Sequence, residues 1–192
     1  MKEQLQKDFD NTIKNLSLSQ KDIEIKKFSL DNFINKGFPN RKEEDWKFSD
    51  LNQIINKNIG ELSFYNDYTS TNKVDTSVFV DGLEHNKIVF INGRIEKIDF
   101  DYEKKGQIEI IDQSETINKF DNNNSLSDLN NAFTNKCFKI VIKTGYQLLK
   151  PLIIYHTTNS KIWSKNINLR LDFELQEDSC LRLIDLFNDT SE

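Results

Sequence analysis

The hydrophobic period of this chain changes once, near residue 87, and that change most constrains what it can fold into. Before it, Leu5, Phe9, Ile13 and Leu16 recur at spacings of four, four and three, which is one face of a helix. Ile23, Phe28 and Leu30 to Ile34 make a second amphipathic stretch that stops at Gly37, a residue able to take the left-handed conformation that ends helices. Pro39 cannot continue a helix. Asn40 is placed to cap a third one, with Glu43 reaching back in capping-box fashion. Glu43, Glu44 and Asp45 then fall in the first turn, where the helix dipole favours negative charge. This third helix is expected to reach Ile59, with a break near Ser49, and to turn Trp46 toward the buried side. Residues 1–60 therefore read as a helical domain.

Residues 61–86 are rich in Ser, Thr, Asn and Asp and read as a linker, with a short strand near Val78 to Val80. Residues 87–192 read as a β-rich region leading into the β core. Asn92-Gly93 lies between two β-rich runs, Lys87–Ile91 and Arg94–Ile98, the favoured pattern for a type I′ hairpin. Another strand is expected over Gln107 to Ile111, and a short helix from Ser125 or Ser127 through Phe133. Phe138, Ile140 and Ile142 then alternate with Lys139, Val141 and Lys143, and Pro151 opens Leu152 to Tyr155. Ile167, Leu169, Leu171, Phe173 and Leu175 alternate with Asn168, Arg170, Asp172 and Glu174, and Leu181 and Leu183 renew the pattern after a polar turn. Such strands suit a sandwich, a barrel or a β-helix, and periodicity does not choose among them. The last strand pattern runs almost to Glu192, which would leave an open sheet edge. The expectation is a fragment of a longer protein, or an edge paired with a partner.

Composition removes several function classes. The net charge is −5 and no Lys/Arg run exceeds two residues, so a nucleic-acid interface is not expected. Ala132 is the only alanine and there are four arginines, a usage typical of an AT-rich genome that devalues arguments from Asn or Lys richness. No stretch is long and apolar enough for a membrane span, and the charged start, Met1-Lys2-Glu3, lacks a signal core. A cytoplasmic location is expected. Two cysteines, Cys137 and Cys180, make no disulfide framework.

Chemistry is sparse. There is no phosphate-binding glycine loop, no Cys-x-x-Cys, no His-x-x-x-His and no Gly-x-Ser-x-Gly. Cys137, Cys180 and His156 could hold a metal only if the fold gathered them; Cys137 reads better as a packed strand residue. No pair of carboxylates stands out as acid and base. Nothing positive points to catalysis, so the chain is expected not to be an enzyme.

One stretch carries more specific information. Pro39-Asn40-Arg41-Lys42-Glu43-Glu44-Asp45-Trp46-Lys47-Phe48-Ser49-Asp50-Leu51 resembles the Pro-x-Arg-Lys-x-Glu-x-Trp-Lys-Tyr-Thr-x-Leu signature of the SufB/SufD family of iron–sulfur cluster assembly scaffolds, and of its SufD branch in particular. Phe48 and Ser49 replace the usual Tyr-Thr. Ile88 to Arg94, with Asn92-Gly93, is similar to the family's apolar strand ending in Asn-Gly. Leu129-Asn130-Asn131-Ala132-Phe133 resembles its Leu-Asn-x-Ala-Phe helix. Lys150-Pro151-Leu152-Ile153-Ile154 resembles its Lys-Pro-Ile-x-Ile strand. The chain departs from the family near Ser164 to Asn168, where a Pro-Arg pair is usual.

The resemblance implies an α+β protein: a helical domain followed by the first turns of a right-handed parallel β-helix, with the remainder of the family's length missing. It implies a non-catalytic scaffold subunit working with SufB-like and SufC-like partners, in which ATP hydrolysis by the SufC ATPase rearranges the scaffold. The iron–sulfur cluster and ATP belong to that complete assembly, and no cofactor is expected on this portion. The family's partner contacts and its Cys and His residues lie in the later part, so none transfers to Cys137 or Cys180. The signature residues Pro39, Arg41, Lys42, Glu44, Trp46, Lys47, Leu51, Asn92, Gly93, Asn130, Ala132, Phe133 and Pro151 are expected to be structural. Two other readings are open: a β-helix enzyme acting on carbohydrate, with Trp163 as a groove aromatic, and an interaction module without an iron–sulfur link.

Overall fold

Among the described residues, four helices and seven strands form in the order that the change of period implies, in an α+β arrangement with two small sheets. The structure, a computed structural model, describes residues 2–14, 16, 18–58, 62–65, 73–114, 124–159, 162 and 165–189. Ile59, Trp163 and Ser164, named above, lie outside the described residues. The contacts divide the chain into two units: Met1–Asn66 with Gln113–Asn135 and Ser164–Arg170, and Asp67–Asp112 with Lys136–Trp163 and Leu171–Glu192.

In the first unit, α1 (Lys2–Lys14) buries Leu5 and Phe9, as their spacing requires. Helix α2 (Gln20–Lys36) starts at Ser19, whose side chain accepts from the Asp22 N–H, and ends at Gly37. Gly37 has φ 73°, and its N–H bonds the Phe33 carbonyl at 2.7 Å. That geometry is natural for glycine and strained for other residues. The buried face of α2 is Asp22, Lys26, Ser29, Leu30 and Phe33, whereas Phe28 is exposed. The apolar stripe is therefore rotated from the one expected, with a lysine at its centre.

The third helix is shorter than expected. Residues 40–43 form a turn, Glu44–Trp46 a single 3-10 turn, and α3 spans only Leu51–Asn58. The local capping geometry does form: the Asn40 N–H bonds the Glu43 carboxylate at 3.2 Å, and the Lys42 N–H bonds the Asn40 side chain at 3.0 Å. Residues 41–45 are all charged and exposed, so a helix there would have no apolar face to bury. Helix α4 (Ser125–Phe133), capped by Asn124, packs against α2 and brings Ala132 and Phe133 into one core with Leu5, Phe9, Leu30, Phe33, Phe38, Ile55 and Phe64. Phe64 lies flat on Phe133 with ring centroids 3.6 Å apart. Phe64 and Tyr65, assigned above to a linker, are thus buried.

The second unit holds the strands β1 (Asn86–Ile91), β2 (Arg94–Asp99), β3 (Ile108–Asp112), β4 (Lys136–Ile142), β5 (Leu152–Thr158), most of β6 (Leu169–Leu175) and β7 (Leu183–Asp189). No strand forms at Val78 to Val80; Thr76–Val78 is a 3-10 turn capped by Asp75. Strands β1 and β2 are the antiparallel hairpin expected around Asn92-Gly93, with φ of 51° and 80° at the two turn residues. The first sheet has the order β2-β1-β5-β7, and its last three strands run parallel. Asn86 aligns with Leu152 and Leu152 with Leu183, so Phe90, His156 and Phe187 share one row. The second sheet has the order β3-β4-β6. The turns between strands follow the same pattern. Gln176 N–H bonds the Ile142 carbonyl, Cys180 N–H that of Tyr146, and Leu152 N–H that of Arg182. The stretch β4-turn-β5 thus lies alongside β6-turn-β7 along its length.

One face of β1 and β5 is covered by the segment from Val74 to Phe79, which packs on Val89, Ile91, Ile153 and Tyr155. From the other face Phe90 meets Phe138 of β4, with centroids 5.8 Å apart. Covered on both sides, β1 and β5 read as continuous apolar runs, as parallel strands do.

Candidate functional site

The signature residues are dispersed, and the structure gathers them into no single site. Pro39 is buried. Arg41, Lys42, Glu44 and Lys47 are exposed on the turn described above, and Phe48 is 90% exposed. Trp46 is half-buried and not turned into a core, which corrects the expectation for it. Leu51, Ala132 and Phe133 meet in the helical core. Asn130 is half-buried, donates to the Leu169 carbonyl at 3.3 Å and accepts from the Asn168 side chain at 3.0 Å. Asn92, Gly93 and Pro151 belong to the strand unit.

Three polar clusters missing from the sequence reading carry the interior chemistry. The first is Lys26, which has no exposed surface. Its ammonium donates to the carbonyls of Asn131 at 3.2 Å, Ala132 at 3.5 Å and Thr134. These are carbonyls at the C-terminal end of α4, which lack intrahelical partners and carry the negative end of the helix dipole. A lysine in the same helical phase as Leu30 and Phe33 was the signal available in the sequence.

The second cluster is a corner built on Glu103. One carboxylate oxygen accepts from the Asn86 side chain at 2.7 Å and the Lys150 N–H at 3.1 Å. The other accepts from the Tyr146 hydroxyl at 2.7 Å and the Leu149 N–H at 3.1 Å. Burial pushes the Glu103 carboxyl upward, but the bonds from Tyr146, Asn86, Lys150 and Leu149 together hold it below its ordinary value. Burial, and then the Glu103 carboxylate, push the Tyr146 hydroxyl up. The Asn86 N–H bonds the Pro151 carbonyl at 2.9 Å, and the Lys150 ammonium pairs with Glu84 at 2.5 Å. The Lys150-Pro151 pair is thus the hinge pin of a corner. With both oxygens committed to four donors, Glu103 is a poor candidate for moving a proton.

The third cluster lies on β5. Tyr155, fully buried, accepts from the Val80 N–H at 3.0 Å and donates to His85 Nε2 at 2.8 Å. His85 Nδ1 faces the Leu83 carbonyl at 2.6 Å, which assigns the proton to Nδ1. On the opposite face, the His156 ring is stacked between Phe90, at 5.3 Å and 8°, and Phe187, at 4.6 Å and 10°. Its Nε2 lies 2.9 Å from Asp185 Oδ1. Burial lowers the His156 pKa, and the opposing pull of Asp185 does not restore it. At the hairpin end, Asn92 donates to the Asn159 side chain at 2.9 Å and accepts from the Asn159 N–H at 3.1 Å. None of these pairs is visible without the strand register.

Cys137 is buried in β4, and Cys180 is exposed where it bridges Gln147. Among the described residues no group of three His, Cys, Asp or Glu side chains is placed to hold a metal. Among them, too, no helix is long and apolar enough to cross a membrane. Comparison with models of known protein families returned no match, and comparison with curated proteins returned none either.

Proposed function

We propose that the chain is the N-terminal portion of a SufD-like scaffold subunit of an iron–sulfur cluster assembly system, acting with SufB-like and SufC-like partners. The observation that carries the reading is the family order of four sequence segments: Pro39 to Leu51, Ile88 to Arg94, Leu129 to Phe133, and Lys150 to Ile154. The last three have structural tasks that account for their residue types. Asn92-Gly93 makes a turn with two positive φ angles, Ala132 and Phe133 fill a core, and Lys150-Pro151 pins a corner.

The strand arrangement supports the finer fold assignment, the opening coils of a parallel β-helix. Successive β-turn-β stretches lie alongside each other in parallel, with Leu152 beside Leu183 and Thr158 beside Asp189. The Asn92–Asn159 pair stacks polar side chains at a strand end, and Phe90, His156 and Phe187 stack rings along a row. Stacking of like side chains at matching positions of neighbouring strands supports that reading. In this reading the subunit is a cytoplasmic, non-catalytic platform, and the cluster and ATP belong to the assembled complex.

The test is co-expression of the complete gene product with the SufB-like and SufC-like proteins of the same genome, followed by affinity purification. A stable complex containing the ATPase is expected. A product that binds neither partner overturns the proposal.

A further inference from the structure

We propose that Asp81-Gly82 is where the backbone of this chain rearranges spontaneously to an isoaspartyl linkage, and that Asn159 keeps the chemically faster Asn92-Gly93 from doing so. The proposal rests on the strand unit alone and does not depend on the scaffold reading.

Two of the six glycines follow an Asp or an Asn: Gly82 and Gly93. The reaction needs that order. The main-chain nitrogen of the glycine attacks the side-chain Cγ of the residue before it, and glycine places no Cβ in the way. At Asp81 the new N–Cγ bond replaces the bond from Cγ to one carboxyl oxygen, which leaves with the amide proton as water. At Asn92 the Cγ–Nδ2 bond breaks instead, and the nitrogen leaves with that proton as ammonia. Either way a five-membered succinimide forms. Water then opens it at one of its two carbonyls. Opening at the main-chain carbonyl leaves the backbone running through Cβ, one atom longer than before.

In an unfolded chain Asn92 is the faster site, because a neutral amide accepts a nucleophile more readily than a carboxylate that is ionised near neutral pH. The fold reverses that order. Asn92 is 1% exposed and its side chain is held at both polar atoms. Its Nδ2 donates to Asn159 Oδ1 at 2.9 Å, and its Oδ1 accepts from the Asn159 N–H at 3.1 Å. Its own N–H donates to the Thr157 carbonyl at 2.9 Å, which fixes the backbone as well. Attack makes the planar amide tetrahedral and pulls both atoms off Asn159, in a place that water must then enter.

Asp81 has the opposite surroundings. Residues 80–84 are exposed and form no helix or strand. The Gly82 N–H donates to Asp81 Oδ1 at 2.9 Å, so the attacking nitrogen already faces the carboxyl group it must join. A Cβ built on Gly82 meets nothing within 4 Å, so there is room for the ring. The consequence falls on Tyr155. Its hydroxyl accepts from the Val80 N–H at 3.0 Å and donates to His85 Nε2 at 2.8 Å. Rearrangement at Asp81 lengthens the chain between these two clasps and loosens the hold of this segment on β5.

The full chain, incubated folded in neutral buffer, is compared with the same chain held unfolded in urea. Trypsin leaves the two sites on different peptides, residues 74–87 and 88–94, so isoaspartate at each is read separately by mass spectrometry. The folded chain is expected to convert at Asp81 several-fold faster than at Asn92, and the unfolded chain in the reverse order. Faster conversion at Asn92 in the folded chain overturns the proposal, as does a folded Asp81 that stays intact while the unfolded one converts. Asn159→Ala is expected to raise conversion at Asn92 several-fold and to leave Asp81 as it was, whereas Asn159→Asp, which retains an acceptor for Nδ2, should keep Asn92 protected. An unchanged Asn92 rate in Asn159→Ala overturns the role of Asn159. Should that variant fail to fold, the native chain decides: Asn92 converting as fast folded as unfolded overturns the shielding.

Discussion

The ammonium of Lys26 sits 3.2 Å from the carbonyl of Asn131, so a charged side chain of α2 closes the C-terminal end of α4 from inside the helical core. Replacing it leaves buried carbonyls without their donor, which costs more than the net worth of the bonds. Lys26→Met, which keeps the length and apolar stem, is expected to lower unfolding free energy by about 2–4 kcal/mol. Lys27→Met, at the exposed next position, should change it by less than about 0.5 kcal/mol. Urea unfolding with an unchanged m-value would read both.

Glu103 should give the strand unit a distinct acid sensitivity. Its carboxyl is held below the ordinary value of 4.5, so its contribution is present above that value and lost as pH falls through the depressed one. Glu103→Gln turns one acceptor oxygen into a donor that must face an existing N–H or hydroxyl. A loss of about 1–3 kcal/mol at neutral pH is expected, with a smaller further loss on acidification than in the native chain. Thermal unfolding at neutral pH and near pH ~4 compares the two slopes.

How much was legible in the sequence follows from the range of each determinant. The helices α1 and α2, the Gly37 stop, the Asn92-Gly93 hairpin and most strands depend on neighbours a few residues away, and all can be read from spacing. Trp46 was misplaced because the capping signal at Asn40 and Glu43 is real but local. It makes the turn, whereas extending a helix needs an apolar face that residues 41–45 do not supply. Lys26, Glu103 and the His156–Asp185 pair escaped because their partners are far away in sequence. The row that aligns Phe90, His156 and Phe187 exists only after the parallel register is set. Phe64 and Tyr65 looked like linker because their polar neighbours dominate the segment, although both are buried.

Two aromatic residues of the signature segments, Phe133 and Phe48, differ in role, and the difference is measurable. Phe133 is 1% exposed, stacked on Phe64 and edge-on to Phe9, while Phe48 is 90% exposed. Phe133→Ala is expected to cost about 3–5 kcal/mol through lost burial and the cavity left behind. Phe48→Ala should leave stability within about 0.5 kcal/mol. Chemical unfolding of the two variants side by side checks the assignment. A Phe48 variant as unstable as the Phe133 one would place that ring in a core.

The hairpin turn offers a last test, because backbone strain and side-chain bonding can be separated there. Asn92 is buried, has φ 51°, and exchanges two hydrogen bonds with Asn159 while its own N–H bonds Thr157 at 2.9 Å. Gly93 has φ 80° and contributes no side chain. Asn92→Gly relieves the left-handed backbone but deletes both side-chain bonds, leaving the Asn159 amide to find other partners. A loss of about 1–2 kcal/mol is expected. Gly93→Ala keeps every bond and adds a Cβ in the left-handed region, for a cost of about 1–2 kcal/mol. The two losses should differ in place. Asn92→Gly should raise hydrogen exchange at the Asn159 amide, which donates to its side chain, whereas Gly93→Ala should raise it at Ile91 and Arg94, the pair that closes the turn.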